Sequence, residues 1–311
     1  MSPIHARSAR GLALFVAISL SALAAPPKRA LTHKDYDPWR SIASPTLSRS
    51  GDWLAYSLMP QEGDGDLVIR NLKTGKETRH AVGALPPAPV IDPAEATGDT
   101  PPPPRGIRIL FTSDNQWVVA TTYPAKAETE KARKERRRAD DMPKNGLLLI
   151  NLATAQETRI DRVKSVQVPS KGGPWVAYLK EAKPAPVPAA KPAEPAKSGD
   201  EDDADQARRA GAAGGSGSTS QYGTDLVLRD LTKTENAETT FESVLDYSFA
   251  RDGATLLYTV GSRTVEQNGV YAVKPGSTAA ALLSGKGKYT KITWDREQQQ
   301  AAFFCRKEEQ W

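Results

Sequence analysis

Short apolar runs bounded by Gly, Asn, Asp and Ser recur along the chain, in the pattern of antiparallel strands joined by tight turns. The segments "LSRSGDWLAYSLM" (47–59), "FTSDNQWVVATTY" (111–123), "VPSKGGPWVAYLK" (168–180) and "FARDGATLLYTVG" (249–261) share one order. An apolar residue comes first, then a polar turn, then a strand of the "WLAY" kind. "WDREQQQAAFFC" (294–305) opens the same pattern a fifth time. A second segment also returns, as "QEGDGDLVIRNLKTG" (61–75), "PKNGLLLINLATAQETR" (143–159) and "YGTDLVLRDLTKTENAE" (222–238). Within "DLVIRNL", alternation sends Leu67, Ile69 and Asn71 to one side and Val68, Arg70 and Leu72 to the other.

Together the two segments make a unit of four short strands. The copy from about Val244 to Leu283 is roughly 40 residues long, the period of a four-stranded propeller blade. The pattern predicts an all-β fold, a partial β-propeller with four blades and the start of a fifth over residues 44–311, behind a lead segment at 25–43. A β-sandwich offers similar hairpins but gives no reason for a repeated order of turn types.

Three stretches interrupt the repeat, at 84–105, 124–143 and 181–221. Strand order predicts that all three leave from one side of the disc. The longest is Ala/Pro-rich and then acidic through Asp200, Glu201, Asp202, Asp203 and Asp205, a composition that reads as a solvated tether. The middle one has helix-forming composition, with Glu130 and Lys134 spaced for an i,i+4 pair. Its basic cluster Arg133, Lys134, Arg136, Arg137 and Arg138 reads first as a solvated face, with an anionic partner or the neighbouring acidic run as alternatives.

Composition adds export. Arg7 and Arg10 precede the apolar run from Gly11 to Leu23, and Ala22-Leu23-Ala24 is a small-residue cleavage pattern, so residues 1–24 read as a signal peptide. The run is short for an uncleaved anchor. Periplasmic or extracellular localisation follows, with no membrane association expected after cleavage. The net charge of +5 falls to about +3 when Arg7 and Arg10 leave, which is no nucleic-acid signature. With Cys305 as the one cysteine, no internal disulfide can form and the core must supply the stability.

Candidate chemistry is sparse. Glu62, Asp64 and Asp66 are spaced loosely like a calcium loop, but the further oxygen ligands such a loop needs do not follow, and the sister copy carries Asn145 and Gly146 there. A hairpin turn explains them better. "GGSGS" (214–218) fails the G-x-S-x-G pattern, and His33 and His80 have no nucleophile motif nearby. No H-E-x-x-H, C-x-x-C, phosphate loop or dinucleotide fingerprint is present. We therefore assign no catalytic, cofactor-binding or metal-binding residue and expect no cofactor. Glu308 and Glu309 form an adjacent acidic pair that could hold an amine or could lie in a solvated hairpin.

The leader, the segment "LTHKDYDPWRSIASPTLSRSGDWLAYSL" (31–58) and blades of the "DLVIRNLxTG" kind resemble the N-terminal region of secreted bacterial serine peptidases of the prolyl oligopeptidase family. The resemblance spans nearly all of the chain after the leader. It implies a propeller that gates an α/β-hydrolase domain, with peptide substrates and with the catalytic Ser, Asp and His on that domain. None of those residues maps onto this sequence, so the chain alone is expected to be inactive and to represent a truncated product or an incomplete gene model. In family members that remove dipeptides, paired propeller glutamates hold the substrate N-terminus, and Glu308 and Glu309 are the adjacent candidates. Two alternatives stand beside this: a TolB-like periplasmic scaffold that binds a protein partner without catalysis, and a polysaccharide-acting propeller enzyme. Oligomeric state is not legible.

Overall fold

In a computed structural model, the residues described are Thr32, Tyr36, 39–86, 106–182, 222–233 and 238–306. Contacts divide the chain into Met1–Asp37 and Pro38–Trp311, and the sheets belong to the second unit. Each recurrent apolar segment is a strand. Strands β1 (Arg40–Leu47), β2 (Trp53–Pro60), β3 (Gly65–Asn71) and β4 (Glu77–Gly83) form an antiparallel sheet in chain order, and so do β5 (Ile109–Phe111), β6 (Trp117–Thr122), β7 (Gly146–Asn151) and β8 (Glu157–Ile160). A seven-stranded sheet follows, made of β9 (Val163–Gln167), β10 (Trp175–Lys180), β11 (Thr224–Asp230), β12 (Glu238–Phe249), β13 (Leu256–Val260), β14 (Gly269–Val273) and β15 (Ala280–Ser284). Strands β16 (Lys288–Trp294) and β17 (Ala301–Arg306) pair with each other.

The turns explain why the strands stop where they do. Between the first and second strands, the same bond closes the loop in four places: Ser48 N–H to Trp53 O (2.8 Å), Thr112 to Trp117 (3.0 Å), Ala250 to Thr255 (2.8 Å) and Asp295 to Gln300 (2.9 Å). Each of these turns carries one left-handed residue, Gly51, Asn115, Gly253 or Gln298, at φ between +56° and +75°. After the third strand, Asn71 Oδ1 accepts the amides of Lys73 (2.9 Å) and Thr74 (3.0 Å), and Asn151 Oδ1 accepts those of Ala153 (2.9 Å) and Thr154 (3.1 Å). Asp230 Oδ1 does the same for Thr232, at 3.0 Å. These are Asx turns, in which a side-chain oxygen replaces a backbone acceptor.

Alternation then decides the packing. On β6 and β7, Val118, Ala120, Leu148 and Ile150 join Leu67 and Ile69 in one core, while Val119, Leu147 and Leu149 join Val176, Tyr178 and Val227 in a second. The next sheet repeats the arrangement: Ala177, Leu179, Leu226 and Leu228 face Val244, Tyr247, Leu256 and Tyr258 in a third core. A sheet between two others is thus covered on both sides. This is why "LLLI" is apolar without interruption, each such side chain contributing about 1.5–3 kcal/mol on full burial. In "DLVIRNL", Leu67 and Ile69 enter the first core as their alternation requires, Val68 is also buried, and Arg70 reaches solvent.

One expectation needs correction. The repeat predicts separate four-stranded units, yet the third and fourth share β12, whose N-terminal half pairs with β11 and whose C-terminal half pairs with β13. The strand turns at Ser243, which is left-handed at φ +56°. Gly83 (+76°) ends β4, and Arg162 (+59°) joins β8 to β9, so a left-handed residue leaves the outermost strand in all three copies. At Ser243 the strand continues through the bend, whereas at Gly83 and Arg162 it ends there.

Candidate functional site

The described roots of the interruptions lie along one edge of the sheets. Ala84 N–H bonds Pro124 O (3.1 Å), Val163 N–H bonds Asn145 O (2.8 Å), and Glu181 N–H bonds Arg162 O (2.7 Å). At this edge, Gly83 has no substitute: its φ is +76°, and a Cβ there would sit 1.9 Å from Tyr123 O. Residues 87–105 and 183–221 lie outside the described residues.

The middle interruption carries helix α1 (Lys126–Lys134) and a 3-10 turn at Ala139–Asp141. Ala125 at its N-cap has no side-chain acceptor, and Asp64 supplies one from the β2–β3 loop, its Oδ1 accepting Lys126 N–H at 2.8 Å. Glu62 Oε2 lies 2.9 Å from Lys126 Nζ, and Asp66 is paired with Arg40. The acidic loop of the sequence is therefore a hairpin turn whose carboxylates hold one helix amide and two cations of this chain. Glu130 pairs with Lys126 (3.9 Å), one turn back, instead of with Lys134. The C-terminus of α1 closes as a Schellman motif: Arg136 is left-handed (φ +51°), its N–H reaches Arg133 O (3.0 Å), and Arg137 N–H reaches Ala132 O (3.1 Å). The basic cluster thus sits where the helix dipole favours cations, and Arg137 also pairs with Glu135 at 2.8 Å.

Beneath this helix lies a cavity of about 570 Å³, lined by Asp64, Tyr123, Glu128, Arg137, Lys144 and Arg159 among others. A second, of about 490 Å³, contains Tyr178, Arg229 and Glu238. There the Tyr178 hydroxyl donates to Glu238 Oε1 (2.9 Å) and Arg229 Nη1 donates to the same oxygen (3.0 Å). Burial, reinforced by the Glu238 bond, pushes the Tyr178 phenol up, so it remains a donor. Arg229 Nε is buried without a partner. Both cavities mix charges of both signs and could hold a polar ligand. Neither presents a nucleophile beside a base.

His80 is buried, with Nδ1 2.7 Å from Glu157 Oε2 and Nε2 3.3 Å from Thr78 Oγ1. The His80 bond, followed by Arg159, holds the Glu157 carboxyl below its usual range. This row ties β4 to β8 across the first two sheets. Thr78 lies two residues from His80 on the same strand, outside both cavities, so the row serves as a cross-link. His33, Glu308 and Glu309 lie outside the described residues. Among the described residues, no group of three or more His, Cys, Asp or Glu is placed to hold a metal ion, and no helix is long and apolar enough to cross a membrane. The sequence did not disclose the Tyr178–Arg229–Glu238 cluster, because Tyr178 and Glu238 are brought together only when β10, β11 and β12 align.

No protein-family model matches the chain, and no curated protein matches it. Solved structures do match. One, from a study of two prolyl endopeptidases, aligns over 84% of this chain and 32% of its own, at 14% identity and a TM-score of 0.39. An acylaminoacyl peptidase of Pyrococcus horikoshii aligns over 81% of this chain and 34% of its own, at 12% identity and a TM-score of 0.39. The β-propeller domain of the Trilobed protease from Pyrococcus furiosus aligns over 88% and 70%, at 9% identity and a TM-score of 0.40. The chain spans about a third of the length of the first two. These likenesses assign no residue a role.

Proposed function

We propose that the sheets are blades of a β-propeller serving an exported serine peptidase, in which the propeller restricts by size the peptides that reach an active site on an α/β-hydrolase domain. The observation that supports a propeller is the burial of both faces of each intermediate sheet, together with a turn that recurs with the same donor and acceptor. A two-layer sandwich covers one face of each sheet, whereas neighbouring blades cover both. The link to a peptidase comes from residues 31–58, and export from the leader at 1–24. In this role the chain selects substrates and does not hydrolyse them.

The test is the intact mass of the native gene product, read with the coding sequence beyond Trp311 and a fluorophosphonate label. The expected result is a mass far above 33.6 kDa, with a labelled G-x-S-x-G serine downstream and none within these 311 residues. A folded, exported species slightly below 33.6 kDa that takes no label would overturn it in favour of a TolB-like binding scaffold. Labelling of the 311-residue chain itself would overturn the separation of selection from chemistry.

A further inference from the structure

We draw no further inference here: the strongest candidate, the exposed apolar surface on the edge strands β15 and β17 around Leu282, Leu283 and Phe304, is an unpartnered sheet surface, and nothing in the structure shows what covers it.

Discussion

The turn after β7 adds one side-chain oxygen to the backbone bonds that close it. Asn151 Oδ1 serves two amides that strand pairing leaves open, as Asn71 Oδ1 does one copy earlier. Asn151→Ala should therefore lower stability by about 1 kcal/mol, whereas Asn151→Asp should be nearly neutral, since Asp230 performs the same duty in the third copy. Urea midpoints of the two variants check this. The Tyr247 phenol supplies a pH test. Burial pushes it up to about 12, against a smaller opposing pull from the Ser165 hydroxyl, and burial likewise pushes Tyr258 to about 12. Unfolded phenols ionise near 10. The stabilisation from a neutral buried phenol is complete below that pH and falls as pH rises from about 10 to about 12, by up to about 1.4 kcal/mol per pH unit per phenol. Denaturant midpoints between pH 9 and pH 12 should drop more steeply for the parent than for Tyr247→Phe, and equal slopes would exclude the effect.

At the scale of elements, α1 depends on a residue far away in sequence. Its N-terminus is capped from the β2–β3 loop by Asp64, and its last turn is closed by its own Arg136. Asp64→Ala should fray the helix at a local cost of about 1 kcal/mol. Faster hydrogen exchange should appear over residues 126–134, with the sheets unaffected. The helix itself was legible from "KAETEKARK", because helix formers and charge spacing are local properties. The cap was not, because nothing local marks Asp64 as a partner for Lys126. The same division separates strands from sites. Turn residues and alternation announced the strands, since a turn needs only its own few residues. The cluster of Tyr178, Arg229 and Glu238 arises only when separate strands are laid side by side. The fusion of the third and fourth units was also hidden, because Ser243 carries no sign of a left-handed bend that a glycine would have given.

Across the whole molecule, the shared strand β12 sets how the sheets come apart. Sheets β1–β4 and β5–β8 share no strand with their neighbours and are held to them by packing, by a few backbone bonds at their edges such as Ala84 N–H to Pro124 O and Val163 N–H to Asn145 O, and by the His80–Glu157 bond. The strands from β9 to β15 are one hydrogen-bonded ladder, and splitting it at β12 means tearing backbone bonds on a strand that belongs to both halves. Native-state hydrogen exchange should show residues 163–180, 224–230 and 238–284 rising and falling in protection as one block, with 40–83 and 109–160 opening separately. A boundary within β12 would refute this. A strand of 12 residues thereby acts as a splice: a nick, a tag or a crossover placed near Ser243 would sever two units at once, whereas the same cut after Gly83 would fall between sheets that share no strand.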